Sequence, residues 1–447
     1  MPKKHSVLLK ESECERCTNC VTNCPTKAIR VHQGKATIRE DLCIDCAECI
    51  RTCEYHAKYT QTDTLADIEA YEYPVALVPP SFYGQFADDI APVQVVAALH
   101  EIGFKAVEDV AMAAEAISKK TLKFLNNQQG SYISSSCPVV VRLIKLLYPE
   151  LLDYLIPFKS PVELMAEKVR EDLTNNNNIS QNDLGIFLLT PCPAKLTTVN
   201  NPLGIKESFL DGAIAVDIVY EQLIDQLNSK NHRQKSAKTY DPPYLGISWG
   251  QSGGETDILN QFQEYKTLSV DGIAEVKHVL DEISRDNIQG VKYFELVACP
   301  EGCVGGVLNV NNPYQAKYNI KKLKQEQKQD FKPQNYDDYN YNLDYKFEVK
   351  EVGHLDKDIN KAVEKLTQLE KEKEILPGLD CASCGAPDCE TLAEDIVNGK
   401  AKRTDCIFML RKEIEDMAER ISNLTHELPP VMSEDEGDND DESKRGH

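Results

Sequence analysis

Sixteen cysteines fall into four groups of four, with none left over. The first group is Cys14, Cys17, Cys20 and Cys24, and the second is Cys43, Cys46, Cys49 and Cys53. Cys137, Cys192, Cys299 and Cys303 are dispersed, and Cys381, Cys384, Cys389 and Cys406 complete the set. Four thiolates are the complement of one iron–sulfur cubane or one structural zinc ion, so a chain without a spare thiol reads as one built around metal centres. The first two groups share the spacing C-x2-C-x2-C-x3-C, about thirty residues apart. Such a run lets three thiolates of one loop hold three corners of a cluster while the fourth reaches the other cluster. That assigns Cys14, Cys17, Cys20 and Cys53 to one [4Fe–4S] centre and Cys43, Cys46, Cys49 and Cys24 to a second. Two zinc sites are the alternative, but zinc motifs rarely use this run twice.

These groups need elements to position them. The chain of 447 residues allows two to four domains, and 41% hydrophobic with 27% charged residues suits ordinary packed cores. Lys plus Arg is 50 against 72 Asp plus Glu, a net charge of −22. That excess argues against nucleic acid as the main partner, because phosphate binding needs clustered cations. The opening residues show no apolar signal segment and no long apolar run follows, so the expectation is a cytoplasmic protein without a membrane partner, its thiols reduced or metal-bound.

The two-cluster segment occupies residues 1–60, its ordered part ending near Ala57, and the polar stretch 58–73 reads as a link. From Val75 to about Asn312 the pattern is α/β. Apolar runs at 75–78, 186–189, 244–247 and 294–297 predict buried strands, and amphipathic stretches at 93–102 and 139–147 predict helices. Each predicted strand runs into a distinctive loop, at Pro79-Pro80-Ser81, Thr190-Pro191-Cys192, Ser252-Gly253-Gly254 and Cys299-Pro300-Glu301-Gly302-Cys303. Ligands of parallel sheets sit beyond the carboxyl ends of the strands, where these loops could gather the dispersed cysteines. The domain runs over 74–350, with 317–351 a polar extension or linker. A helix is expected over 356–374 within a four-cysteine domain, 356–406. A heptad helix follows at 407–428, with Ile407, Leu410, Ile414, Met417, Ile421, Leu424 and Leu428 stepping by three and four, as a two-helix seam requires. It is a candidate surface for a homodimer or a signalling partner, or a face packed on its own domain. The remainder, 429–447, is an acidic tail expected to be disordered.

The first two groups resemble a bacterial two-cluster ferredoxin: Pro25 follows Cys24 as in that family, while Glu54 follows Cys53, a departure. The segments Ser134-Ser135-Ser136-Cys137-Pro138, Pro191-Cys192-Pro193-Ala194-Lys195 and Glu295-Leu296-Val297-Ala298-Cys299-Pro300-Glu301-Gly302-Cys303-Val304-Gly305-Gly306 look like the three signatures of [FeFe]-hydrogenases. The resemblance covers roughly 74–323. It implies a ferredoxin-like 2[4Fe–4S] domain, a two-lobed α/β H-cluster domain with parallel sheets, and a small helical [4Fe–4S] domain carrying the fourth cysteine group. It also implies an H-cluster: a [4Fe–4S] cubane held by Cys137, Cys192 and Cys299, with Cys303 bridging to a diiron unit bearing CO, cyanide and azadithiolate. Lys195 and Ser81 match the residues that pair with the two cyanides, and Gly305 and Gly306 would let backbone approach the cluster.

The chain departs from the well-studied catalytic members at the proton path. Their relay cysteine is Ser136 here, a far weaker acid, and a relay glutamate is Thr198. The remaining relay glutamate and serine align with Ser118 and Ile156, and two methionines flanking the diiron unit align with Thr190 and Val297. The expectation is reversible H2 cleavage at low turnover, with H2 and protons as substrates and products and an unidentified redox partner, as a sensor would need. The fourth cysteine group resembles the cluster domain that follows the core in sensory classes of the family. The alternatives are a high-turnover H2-evolving or H2-oxidising enzyme, or a non-enzymatic iron–sulfur scaffold or electron carrier.

Overall fold

The computed structural model describes residues 5–32, 34–87, 89–176, 179–228, 245–327, 338–350, 355–356 and 358–426. Two compact units divide the chain at Gly353 and His354.

At the start of the first unit, β1 (Val7–Leu9) pairs antiparallel with β4 (Lys58–Thr60), and β2 (Ile29–His32) with β3 (Lys35–Ile38). Arg16, Thr18 and Lys27 have left-handed backbone, and so do Asp45, Ala47 and His56, each 29 positions later. Left-handed non-glycine residues are uncommon. Their repetition at matched offsets shows that the two cysteine runs fold as two copies of one tightly curved loop.

The stretch 58–73 is not a link. Its first residues form β4, and Asp63 docks on the next sheet, its N–H donating to the Ala213 carbonyl at 3.1 Å and its carboxylate accepting from Ala213 N at 2.7 Å. Ile68 is buried in the main core and Tyr73 opens β5. Its polar composition hid this because β4 turns its lysine inward.

Two parallel sheets form the main body. The first has the order β6 (Ala106–Asp109), β5 (Tyr73–Val78), β8 (Leu184–Thr190), β9 (Gly212–Ala215). The second has the order β10 (Thr267–Asp271), β11 (Tyr293–Val297), β7 (Tyr132–Ile133). All seven residues of β8 are buried, the continuous apolar run expected of a strand covered on both faces. Ala76, Val78, Phe187 and Leu189 face helices Pro92–Glu101 and Val216–Asn228. Their neighbours Val75, Leu77, Ile186 and Leu188 face helices Val110–Asn127 and Pro161–Asn176, the period-two alternation of a strand. Phe294 and Leu296 of the second sheet pack on helices Pro138–Leu147 and Ile273–Ser284.

Two sequence expectations fail here. Of the strand predicted at 244–247, Tyr244 lies outside the described residues and Gly246–Gly250 is a 3-10 turn. A short apolar run reports burial without fixing conformation. A Cβ on Gly246 would stand 1.8 Å from the Ala111 carbonyl oxygen, so only glycine lets this turn lie against helix Val110–Asn127. The described parts of the polar segment 317–351 are not an appendage. Helix Pro313–Gln327 buries Ala316 and Ile320 in the main core. Further on, Lys159 N donates to the Tyr341 carbonyl at 3.0 Å and Lys350 N to the Lys145 carbonyl at 2.9 Å, tying 338–350 onto the same body. Residues 328–337 and 351 lie outside the described residues; of the rest, Asn319 and Ile320 are buried and 338–350 stays at the surface, so the composition is polar.

In the second unit, helix Ile359–Ile375 starts at Asp358, whose side chain accepts from Asn360 N and Lys361 N. Helices Cys389–Val397 and Ile407–His426 follow. A small core of Leu376, Ala386, Leu392, Ala393 and Cys406 holds the unit together. Leu428 and the acidic tail 429–447 lie outside the described residues. Among the described residues no helix is long and apolar enough to cross a membrane.

Gly246→Ala is expected to lower stability by about 1–3 kcal/mol through overpacking. Chemical denaturation should read this as a lower midpoint with unchanged slope; an unchanged midpoint would contradict the close approach.

Candidate metal centres

Each dispersed cysteine sits where a strand gives way to a loop or helix. β7 leads through Ser134 and Ser136 to Cys137, the N-cap of helix Pro138–Leu147. β8 leads to Cys192, the N-cap of helix Pro193–Asn200. β11 leads to Cys299, and Cys303 opens a single turn, Cys303–Gly305. Proline occupies the first helical turn after Cys137 and Cys192, where its fixed φ suits the start of a helix. A helix N-terminus carries partial positive charge, so both caps favour a thiolate.

Between the two sheets these loops enclose a cavity. Its walls include Pro80, Ser81, Ser136, Cys137, Pro191, Lys195, Trp249, Gly250, Val297 and Cys303. Burial pushes the Cys192 thiol up to about 11 and the Cys299 thiol well above its usual value, neighbouring thiols adding to the effect. Such thiols ionise only when a cation compensates them, which fits iron ligation. Burial alone would lower the Lys195 ammonium, but the four thiols, Cys303 foremost, hold it above the ordinary lysine value. The Ser81 hydroxyl is fully buried on the cavity wall with no hydrogen-bond partner among the described residues. An orphaned donor and a cation facing four thiols suit an anionic group bound between them.

Gly305 and Gly306 also serve the packing of the loops themselves. A Cβ on Gly305 would stand 1.9 Å from the Pro300 carbonyl oxygen, and one on Gly306 would stand 2.3 Å from that of Pro191. Gly305 lets the Cys303 turn fold back on Pro300, and Gly306 lets it lie against the Cys192 loop.

The two-cluster segment brings Cys14, Cys17, Cys20 and Cys53 around one pocket, together with Lys58. Cys43, Cys46 and Cys49 each feel the charge of Cys24. The structure thus places the fourth cysteine of each run with the other run. Four thiolates on one zinc would lie roughly 3.8 Å apart, given a Zn–S bond near 2.3 Å. Among the described residues the one ligand group drawn within 4.8 Å is His5, Cys43 and Asp45, so the cysteine sets stand at a wider spacing. In the second unit Cys384 senses Cys406 and Cys381, and Cys389 opens a helix capped by Asp388.

Buried cations stand beside these thiols, and sequence reading missed both. Lys58 is 3% exposed, its ammonium has no hydrogen-bond partner among the described residues, and it pulls on Cys20 of one set and Cys49 of the other. Arg142 is 6% exposed and donates to the Ala194 carbonyl at 3.1 Å. Burial lowers its guanidinium against the pull of Asp45, Cys43, Cys192 and Cys137. The two-cluster segment is locked to the cavity loops by polar contacts. Thr197 Oγ1 donates to Asp45 Oδ2 at 2.7 Å, and Arg51 Nη2 donates to the Gly305 carbonyl at 3.0 Å.

Of the residues aligned with the proton relay, Thr198, Ser118 and Ile156 form no chain of donors with Ser136 among the described residues. Thr198 Oγ1 donates to the Lys195 carbonyl at 2.6 Å, Ser118 Oγ accepts from Trp249 Nε1 at 2.9 Å, and Ile156 is buried against Phe158. Thr190 Oγ1 donates to the Cys192 carbonyl at 2.9 Å, and Val297 lines the cavity. A different polar line leaves the cavity. Ser136 Oγ lies 2.8 Å from Ser134 Oγ, which donates to Glu255 Oε2 at 2.8 Å, and Tyr293 OH donates to Glu255 Oε1. Burial, then repulsion from Glu295, holds the Glu255 carboxyl well above the usual range. Nothing in the sequence around Glu255 marked it; it meets Ser134 only because helix Gly254–Phe262 packs on β11.

Fold and site together define an iron–sulfur protein with a ferredoxin-like start and a cysteine-walled cavity between two parallel sheets. The family "iron only hydrogenase large subunit, C-terminal domain" matches residues 72–221 and 229–307, over half of the chain. A 4Fe-4S dicluster domain matches 6–54, and an Fe-S cluster family matches 376–408. The chain belongs to the iron-only hydrogenase family. It is 21% identical over 381 residues to the NADP-reducing hydrogenase subunit HndD of Solidesulfovibrio fructosivorans, the match covering 67% of this chain and 64% of that protein. Over 56 residues, 12% of this chain and 29% of the relative, it is 43% identical to a polysulfide reductase subunit of Wolinella succinogenes. Among solved structures, apo [FeFe]-hydrogenase HydA1 from Chlamydomonas reinhardtii matches at 13% identity and a TM-score of 0.47, over 64% of this chain and 98% of that one.

Lys58→Met should make both N-terminal clusters harder to reduce, because a buried cation favours the more negative reduced state. Potentiometric titration followed by electron paramagnetic resonance should show both midpoints moving to more negative values. Unmoved midpoints would remove Lys58 from the electrostatics of the clusters.

Proposed function

We propose that this chain cleaves H2 heterolytically and reversibly at an H-cluster, slowly, as an H2 sensor, passing electrons through its [4Fe–4S] clusters to a protein partner. The observation that carries the reading is a pair of donors, the orphaned Ser81 Oγ and the Lys195 ammonium, on the walls of a cavity also lined by Cys137 and Cys303. Cys137, Cys192 and Cys299 would hold the cubane, Cys303 would bridge, and Lys195 and Ser81 would each hold a cyanide. When bound, the group supplies the iron that polarises H2 and an amine that accepts a proton.

The chain's own residues do the rest. Lys195 balances anionic charge where water is scarce. Val297 and Pro191 help keep the cavity apolar. Ser136 Oγ takes or returns the proton at the cavity wall, Ser134 Oγ relays it, and Glu255 stores it. A hydroxyl can relay a proton but is far too weak an acid to hold the charge that a thiol can hold, which makes the first step slow. Electrons leave by the two-cluster segment, whose Ile44 and Cys46 pack in one core with Cys137 and Cys192. Low turnover beside an intact cavity suits a protein that reports H2 rather than one that processes it in bulk.

The test is an infrared spectrum of the matured protein under H2, CO and N2. Sharp CO and cyanide bands that shift with the gas are expected. No such bands at about sixteen irons per chain, four cubanes' worth, would overturn the reading in favour of an iron–sulfur scaffold. Turnover matching that of fermentative hydrogenases would overturn the sensor assignment alone.

With those bands retained, Ser136→Cys should raise turnover about tenfold or more, and Glu255→Gln should lower it about a hundredfold. Hydrogen-evolution assays across pH check both. An unaffected Glu255→Gln variant would exclude the Ser136–Ser134–Glu255 line.

A further inference from the structure

Helix Ile407–His426 carries its apolar residues outward. Ile407, Leu410, Ile414, Met417, Ile421 and Leu424 are between 41% and 65% exposed. By rise per residue the stripe is roughly 25 Å long. Side chains of this size standing in water along a single seam call for a partner surface. The packing of the four-cysteine unit does not use them: its core takes Cys406 and, at its edge, Met409, which lies off the seam.

We propose that the stripe is the seam of an antiparallel two-stranded coiled coil between two copies of this chain. The heptad assigns Ile407, Ile414 and Ile421 to position a and Leu410, Met417 and Leu424 to position d. Running antiparallel, each layer joins an a residue to a d residue. Ile407 meets the partner's Leu424, Leu410 meets the partner's Ile421, and Ile414 meets the partner's Met417. No polar residue interrupts these six layers, so the seam is complete with a copy of itself.

Charge decides the direction. The g positions flanking the central layers are Glu413 and Arg420, both exposed and neither in an ion pair among the described residues. In an antiparallel pair, g faces g, so Glu413 of each copy faces the partner's Arg420, twice by symmetry. In a parallel pair, g faces e, and Glu413 would face Ala418 while Arg420 would face Thr425, leaving both charges unmatched. The sequence after the helix carries seven acids against one Lys and one Arg over 433–447. A parallel pair would bring two such segments to the same end, whereas an antiparallel pair sends them to opposite ends. Cys406 immediately precedes the helix, so the seam starts at a ligand of the C-terminal cluster site, and pairing would fix that side of the site.

The test uses the full metal-loaded chain in sedimentation equilibrium at micromolar concentrations. The wild type is expected to run as a dimer. Ile414→Glu with Ile421→Glu, both at exposed positions, should give a monomer with unchanged iron content and circular dichroism melting of the body. Glu413→Arg alone should weaken the dimer at least tenfold, and adding Arg420→Glu should restore it. A wild-type monomer at every concentration, or a dimer that survives the double glutamate variant, would overturn the proposal. So would a dimer broken by the double variant yet indifferent to Glu413→Arg, which would make the seam parallel or give it to another partner.

Discussion

Everything in this protein depends on keeping clustered thiols in places where thiolate charge is costly. A buried thiol resists ionisation, and four together resist more strongly. Iron supplies most of the compensation, and the fold is arranged to supply the remainder. Cys137 and Cys192 are the N-caps of helices, where peptide dipoles favour negative charge. Lys195 faces all four thiols of the dispersed set. Lys58 and Arg142, both nearly sealed from solvent, stand where one cysteine set gives way to the next. Even in a chain of net charge −22, buried cations stand beside the sulfur, alongside the buried acids Asp45 and Glu295.

The same arrangement explains why the two-cluster segment is part of the main body rather than a tethered carrier. Asp45 accepts from Ser6 N at 2.9 Å within the two-cluster segment and from Thr197 Oγ1 at 2.7 Å across the junction. Arg51 reaches the carbonyl of Gly305 in the Cys303 turn. The two bonds across the junction each link a residue close to one cysteine set with a residue close to another. Charge-assisted hydrogen bonds of this kind hold geometry tightly, and electron transfer between centres needs separations that do not drift.

Several features of the centres were legible in the sequence because spacing alone carries them. Tight cysteine runs can close only around a compact centre, and apolar runs such as 186–189 can only be buried. The proton side was legible only as a set of departures, at Ser136, Thr198 and Ile156. The polar line proposed in their place was hidden, because Ser134, Glu255 and Tyr293 are widely separated in the chain and meet through β7, β11 and helix Gly254–Phe262. The run at 244–247 shows the reverse error: its hydrophobicity reported burial, while Gly246 against Ala111 decided the conformation.

The sequence by itself therefore determined the number and kind of cysteine groups, the buried parallel strands and the family, since these depend on residue type and local spacing. The tertiary structure alone decided which cations face the thiols, which carboxyl ends the polar line from the cavity, and that the polar segment 338–350 belongs to the body. Those outcomes depend on pairs of residues brought together from distant positions, and no local pattern encodes a contact whose two halves are chosen by the packing of sheets and helices between them.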